Sequence, residues 1–148
     1  MEPHIQPHWE HYEHERGIGV RGFGETVAEA FEQAALATTA AVTSLSAVAP
    51  WEAVTIRCQA PNHDLLLDEW LNALIHEMAE KKMLFSRFAV RIDGERLTAE
   101  ALGEGIDPSR HRPVVELQRA RVHEPEVNAT LPVAKHGDGW VAQTVVRV

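Results

Sequence analysis

The segment at residues 8–15 contains the residue types that bind transition metals, since it reads His-Trp-Glu-His-Tyr-Glu-His-Glu. Imidazole nitrogens and carboxylates ligate zinc, nickel or manganese, but a metal site needs several of them to converge on one point. Histidines three residues apart converge on a helical turn and alternate between opposite faces on a strand. We weigh a small metal-dependent enzyme against a solvated arm, and we favour the arm because such clusters match ligand patterns more often than they bind metal.

The motifs of common enzyme classes are absent from the sequence. It has no G-x-S-x-G nucleophile elbow, no P-loop, no H-E-x-x-H zinc motif and no paired C-x-x-C. The single cysteine, Cys58, lies in an apolar alternating segment, which favours a buried thiol over a nucleophile. Common hydrolase, NTPase and zinc-enzyme functions therefore lack support, and we predict no catalytic residue.

The charge balance argues against direct binding of nucleic acid. The chain has 14 basic and 22 acidic side chains, which gives a net charge of −8 with histidine neutral. Proteins that bind RNA or DNA normally present a basic patch that neutralises phosphates. Here the basic side chains are scattered along the chain, and a protein partner or a small ligand is favoured. The densest basic group consists of Arg110, Arg112, Arg119 and Arg121.

Length and hydropathy predict one domain in the cytoplasm. The 148 residues suffice for one domain with its own core. No apolar run approaches the roughly 20 residues of a membrane span, and the first residues lack the pattern of a secretion signal. We expect an N-terminal arm over residues 1–11 and a single domain over residues 12–148.

The first half of this domain alternates strands with helices. Gly and branched residues over 18–23 predict a short strand, and the T-x-x-E capping box at Thr26 and Glu29 starts a helix that reaches about Leu45. Residues 54–58 alternate as a half-buried strand. This β-α-β order allows a parallel pair of strands with a right-handed crossover.

The second half contains one more helix and then several strands. Asn62 or Asp64 caps a helix that extends to about Met83, with a wide apolar face. From residue 84 the period changes to two, and Asp93-Gly94 predicts a tight hairpin with a return strand over 97–102. The apolar face of this predicted helix consists of Leu66, Leu67, Trp70, Leu71, Leu74, Ile75 and Met78.

The remaining residues predict a polar loop and antiparallel strands. The loop covers residues 103–113, another strand starts near residue 115, and a closing strand covers residues 140–148 after a Gly-Asp-Gly turn. The predicted fold is α+β, a two-layer sandwich in which two helices pack on a mixed, mostly antiparallel sheet.

Over almost its whole length the sequence resembles the archease family, the protein cofactors of tRNA-splicing RNA ligase. The order of the matching segments carries the resemblance, since no single motif is decisive. The segments are Tyr12-Glu13-His14-Glu15-Arg16-Gly17-Ile18-Gly19, Gly24-x-Thr26, Glu29-Ala30-Phe31, Ala34-Ala35-Leu36-Ala37, Leu65-Leu66-Leu67, Trp70-Leu71-Asn72, Phe85-Ser86-Arg87-Phe88, Gly103-Glu104, Asp107-Pro108-x-Arg110-His111-x-Pro113, Glu116, His123 and Gly139-Trp140-x-Ala142-Gln143.

The resemblance implies a two-layer α+β domain that is not itself a ligase. It implies a protein that speeds guanylylation and multiple turnover of a GTP- and manganese-dependent RNA ligase. The ligase would be the protein partner, RNA would be reached only indirectly, and no membrane would be involved. Two alternatives stay open, a metal-free interaction or chaperone-like paralogue and the small metal-dependent enzyme considered above.

The resemblance also implies a divalent, calcium-type metal site whose ligand positions this chain has changed. The family's opening Asp is matched by Gly17, its C-terminal Asp by Arg147, and its final residue by Val148 with a terminal carboxylate. A hard cation needs several oxygen ligands, and a guanidinium repels it. We therefore expect the site to be lost or altered. Substitute ligands could come from Glu13, His14 and Glu15, and further family-motif positions are Glu116, Gln118 and His123.

Overall fold

Three helices and eight strands are present among residues 6–113, 117, 119–121 and 132–147, which are the residues that a computed structural model describes. The α+β class is confirmed, and no helix in these described ranges is long and apolar enough to cross a membrane. The elements are β1 His8–His14, β2 Gly17–Gly24, α1 Val27–Val42, β3 Glu52–Gln59, α2 His63–Lys81, β4 Met83–Asp93, β5 Arg96–Gly105, the one-turn helix α3 Pro108–His111, β6 Arg119–Arg121, β7 Val133–His136 and β8 Gly139–Arg147.

The strands divide into two sheets. One has the order β1-β2-β8-β6, with β7 also paired to β8, and the other has the order β3-β5-β4. Every strand pair among the described residues is antiparallel. The parallel pair that the first β-α-β unit allows does not form, because β2 and β3 lie in different sheets. The expectation of one mixed sheet fails for the same reason.

The predicted N-terminal arm is wrong for residues 8–11. They belong to β1, which pairs with β2 along its whole length from His8 opposite Phe23 to His14 opposite Gly17. Backbone pairing satisfies the polar groups of this segment, and its alternation of side chains gives it one face toward α1. The domain therefore includes residues 8–11.

Helix α1 begins at the predicted capping box. The Thr26 hydroxyl accepts a hydrogen bond from the Glu29 N–H at 3.1 Å, and the Glu29 carboxylate accepts one from the Glu25 N–H at 2.8 Å. The helix ends at Val42, earlier than expected, where Thr43 turns to extended backbone. Its alanine-rich face lies directly on β2, since a Cβ at Gly22 would be 2.3 Å from the Ala30 carbonyl oxygen.

Helix α2 carries the apolar face that its periodicity predicts. Asn62 caps it by accepting a hydrogen bond from the Leu65 N–H at 2.9 Å, and all seven predicted apolar residues are buried. The Trp70 indole N–H donates to the Phe31 carbonyl oxygen of α1 at 3.1 Å, which joins the two helices inside the core.

The predicted loop over 103–113 is shorter than expected because β5 continues through Gly105. Residues 103–105 pair with Met83–Phe85 of β4, and α3 follows with Asp107 as its cap. At this end of the three-stranded sheet the outer face is covered by the segment 43–50 and by α3. A small second core of Val42, Val48 and Leu84 lies beneath the segment.

Glu104, at the covered end of β5, holds these two segments together. Its buried carboxylate accepts hydrogen bonds from the Ala49 N–H at 2.7 Å, from His111 Nε2 at 3.0 Å and from the Arg110 guanidinium. The Asp107 N–H donates to His111 Nδ1 at 2.8 Å, so Nε2 carries the ring proton that Glu104 accepts. These donors, first Ala49, then His111 and Arg110, lower the pKa of Glu104 to about 2.

Replacing Glu104 should remove stability that depends on pH. Because its folded pKa of about 2 lies below the ordinary 4.5, the carboxylate stabilises the fold above pH 4.5. That contribution is lost as the pH falls from about 4.5 to about 2. Glu104→Gln should lower the melting temperature at pH 7, and the gap to the parent protein should shrink as the pH falls through this range.

Glu100→Gln is the matched control, since Glu100 is exposed on the same strand. Thermal unfolding followed by circular dichroism at several pH values measures both variants. Equal effects of the two substitutions, or a gap for Glu104→Gln that does not change with pH, would contradict the assigned role.

Candidate functional site

An open cleft of about 670 Å³ lies at the end of the β1–β2 hairpin. The hairpin turn places its residues beside the C-terminal end of β8, because β2 pairs with both β1 and β8. The cleft contains the three substitute ligands expected from the sequence. Its lining residues are His11, Tyr12, Glu13, His14, Glu15, Gly17 and Ile18.

The histidines of β1 do not converge, because the strand sends them to opposite faces. His8 stacks on Phe23 on the outer face, with the ring centroids 4.4 Å apart. His11 lies on the inner face, where its Nε2 donates to the Ala37 carbonyl oxygen of α1 at 2.7 Å. Within the ranges that the structure describes, no three His, Cys, Asp or Glu side chains are grouped to hold a metal ion. The geometry therefore gives no support to an enzyme built on this segment.

The outer face of the hairpin is instead an ordered polar row. Arg21 pairs with Glu10 at 2.6 Å, donates through Nε to Gln143 Oε1 at 2.8 Å, and lies over the Tyr12 ring at 4.4 Å. The Tyr12 hydroxyl donates to the Thr144 carbonyl oxygen at 3.2 Å. Side chains from β1, β2 and β8 thus contact one another, and Tyr12 joins this row to the lining of the cleft.

Positions 17 and 147 lie side by side at the end of the sheet. Ile18 pairs with Val146 in the antiparallel register, which places Gly17 beside Arg147. A Cβ built on Gly17 would be 2.2 Å from the Val146 carbonyl oxygen and 3.1 Å from the Arg147 Cα. The two positions that the resemblance assigns to metal ligands are therefore neighbours, although they are 130 residues apart in the chain.

The described side chains around these positions do not fit a hard cation. Gly17 has no side chain, and the guanidinium of Arg147 is itself positive. Among the substitutes, His14 Nδ1 already accepts a hydrogen bond from the Arg16 N–H at 3.0 Å, and alternation along β1 separates Glu13 from His14. A calcium-type ion takes six to eight oxygen ligands, which these groups do not supply.

Four of the predicted positions lie outside the described residues. They are Glu116, Gln118, His123 and Val148.

The Glu104–His111 cluster is the functional-looking arrangement that sequence reasoning missed. The polar composition of residues 103–113 predicts a loop, whereas Glu104 and His111 are both buried. The available signal was the spacing itself, because Gly-Glu followed by Asp-Pro-x-Arg-His places an acid, a cation and an imidazole within eight residues. Both histidine nitrogens are engaged, so the cluster positions a loop and has no free base for catalysis.

Adding a side chain at position 17 should lower the free energy of unfolding, because the backbone of β8 occupies the space that the side chain would take. Gly17→Ala forces its Cβ against the Val146 carbonyl, and we expect a loss of about 1–3 kcal/mol in the free energy of unfolding. Gly105→Ala is the control, since the nearest atom to its Cβ would be 3.9 Å away. The control should stay within about 1 kcal/mol of the parent. Denaturant unfolding measures the unfolding free energy of both variants. Equal losses in the two variants would show that β8 does not occupy the space beside position 17.

The comparisons with known proteins agree with the fold. Residues 9–148 match the model of the archease protein family (MTH1598/TM1083). The solution structure of Methanobacterium thermoautotrophicum protein 1598 superposes with a TM-score of 0.74 at 25% identity, covering 95% of this chain and 98% of that one. The crystal structure of an archease and possible chaperone from Thermotoga maritima superposes with a TM-score of 0.53 at 15% identity, covering 99% of this chain and 100% of that one. This similarity supports the fold alone.

Curated relatives extend over nearly the same residues. Protein archease of Pyrococcus abyssi is 33% identical over 144 residues, which cover 93% of this chain and 96% of the relative. Protein archease of Thermococcus kodakarensis is 35% identical with the same coverage. With a family model that matches residues 9–148 and relatives above 30% identity, this chain belongs to the archease family.

Proposed function

We propose that the protein is a non-catalytic accessory factor that activates a GTP-dependent tRNA-splicing RNA ligase by direct contact, raising guanylylation and turnover. Membership of the archease family over residues 9–148 is the observation that carries the proposal. The ligase partner and the activated steps come from the family resemblance, and the surfaces described above indicate where contact would occur.

The cleft at the hairpin end is open and is lined by Glu13 and Glu15. His11 also lines this cleft, and its Nε2 donates a hydrogen bond to the Ala37 carbonyl oxygen of α1. His111 is held between Asp107 and Glu104 with both ring nitrogens engaged, so it offers no free nitrogen to act as a general base. We assign the ligase contact to this cleft.

The family's divalent metal site is, in this proposal, lost or altered. Gly17 and Arg147 replace two carboxylate positions, and the backbone of β8 closes the space at position 17. Activation would then depend on the protein surface at the cleft and not on an ion held between the two positions.

A metal-free chaperone-like module is the second candidate. The same two substitutions favour it, and the Thermotoga maritima protein with this fold is described as a possible chaperone. Such a module would protect unfolded or aggregation-prone proteins of many kinds. An accessory factor for a ligase would act on that enzyme alone, so the two candidates differ in partner range.

Adding the purified protein to its cognate RNA ligase should raise the rate of ligase–GMP formation and the number of turnovers. Glu13→Lys with Glu15→Lys should reduce this stimulation, because both acids line the cleft. Glu80→Lys with Glu95→Lys is the control, since it changes the charge equally at exposed sites elsewhere. No stimulation by the parent protein would overturn the proposal. Suppression of aggregation of unrelated proteins without stimulation would favour the chaperone-like module.

Calorimetric titration of the protein with calcium, manganese and zinc tests the metal proposal. After treatment with a chelator, we expect no stoichiometric binding at micromolar affinity, because the described groups near positions 17 and 147 supply too few oxygens. Lysozyme titrated in parallel gives the background for weak surface binding. A one-to-one site with micromolar affinity would show that other groups of this chain rebuild the site.

A further inference from the structure

The outer face of the three-stranded sheet collects arginines that are scattered in the sequence. In the antiparallel register, Thr98 of the central strand β5 lies opposite Arg57 on β3 and opposite Arg91 on β4. Arg87 lies in a second row opposite Leu102, and Arg96 ends the face. Strands are about 4.8 Å apart, so Arg57 and Arg91 have their Cα atoms roughly 10 Å apart. We call this set the arginine face: Arg57, Arg87, Arg91 and Arg96.

The arginine face is open and its cations are available to a partner. All four residues are exposed, and their side chains form no hydrogen bond or salt bridge with the residues that the structure describes. The exposed acids on the strands of this side are Asp93, which lies opposite Arg96, and Glu100, while Glu104 at the covered end is buried and paired with Arg110. The four arginines therefore outnumber the exposed acids of these strands, although the chain has a net charge of −8. Ala89, which lies opposite Glu100 on the same face, is exposed and small.

An exposed tryptophan borders the arginine face. Trp51 is 80% exposed and lies one residue before β3, where its N–H donates to the Gly103 carbonyl oxygen at 3.1 Å. Its position continues the alternation that places Ala53 and Arg57 on the outer face. A large aromatic ring left in water at the edge of a basic surface is suited to stacking on a planar ligand.

We propose that the arginine face binds single-stranded RNA through its phosphates, with Trp51 stacking on a base. Arginine forks bind phosphate oxygens in a bidentate manner, and a flat sheet with an aromatic ring is a common platform for single strands. This goes beyond the proposed function, which needs only contact with the ligase. It also departs from the expectation that RNA is reached only indirectly, because that expectation treated the arginines as scattered.

RNA is favoured over an acidic protein segment by the combination of residues on the face. An acidic segment would satisfy the charges, but it would leave Trp51 without a planar partner. RNA supplies regularly spaced phosphates for Arg57, Arg87 and Arg91 and unstacked bases for the indole. The acidic segment is therefore an outcome of the test below.

Fluorescence anisotropy with a labelled oligouridine of about 20 nucleotides tests the proposal over a series of salt concentrations. Arg57→Glu with Arg91→Glu should weaken binding at least about tenfold and reduce the slope of log affinity against log salt by about 1.4, since each phosphate contact on a single strand contributes roughly 0.7. Trp51→Ala should weaken binding by about fivefold or more with an unchanged slope, because base stacking is uncharged.

Arg16→Glu with Lys135→Glu is the control, since it changes the net charge equally on the other sheet and should bind as the parent does. Circular dichroism confirms that each variant is folded. Absence of binding by the parent at low salt, or equal losses in the control, would overturn the proposal. Displacement of the RNA by oligoglutamate at equal charge concentration, with no effect of Trp51→Ala, would assign the face to an acidic protein instead.

The assay contains no ligase, so its failure is distinct from failure of the proposed function. Guanylylation of the ligase needs GTP and no RNA. Arg57→Glu with Arg91→Glu should therefore keep the stimulation of guanylylation and lose stimulation of RNA joining. Loss of both would place the ligase contact on the arginine face and overturn its assignment to RNA.

Discussion

Alternation of side chains across pleated strands decides which chemistry this chain presents to its surroundings. A strand sends successive residues to opposite faces, so residues three apart separate while residues from different strands meet in rows. In the five-stranded sheet this separates His8 from His11 and disperses a segment rich in metal ligands. In the three-stranded sheet the same rule brings Arg57 and Arg91 to either side of Thr98.

Close approach of backbones is the second constraint, and it restricts which residues fit at two glycine positions. At Gly22 the helix α1 lies directly on β2, and at Gly17 the carbonyl of Val146 occupies the space that a Cβ would take. Packing at this distance leaves no freedom for a single substitution to restore a carboxylate. The β2–β8 pairing therefore restricts position 17 to a residue without a side chain.

Features set by local chemistry could be predicted from the sequence. The caps at Thr26 and Asn62, the apolar face of α2 and the Asp93-Gly94 hairpin follow from contacts within a few residues. The partition into two sheets could not be predicted, because it depends on pairings such as Gly17 with the end of β8. Segment 8–11 was assigned to an arm because its polar residues suit solvent, but an edge strand tolerates them equally well.

The candidate site was predictable in part for the same reason. Resemblance to a family identifies positions 17 and 147, but only the register makes them neighbours. The Glu104–His111 cluster could not be predicted from the sequence, because burial of a carboxylate depends on donors such as the Ala49 N–H, which is 55 residues away in the chain. Likewise the charge balance of the whole chain gave no indication of a positive face, since a sum over residues does not record which of them share a sheet.

The two surfaces lie on different sheets, and this separation has a consequence for how an accessory protein could work. The cleft ends the five-stranded sheet, and the arginine face occupies the open part of the outer face of the three-stranded one. Distinct surfaces on separate sheets allow two partners of different chemistry to bind without competing for the same residues. A protein that contacts the ligase at the cleft and RNA at the arginine face would raise the local concentration of RNA near the enzyme, and turnover would gain from this while guanylylation would not.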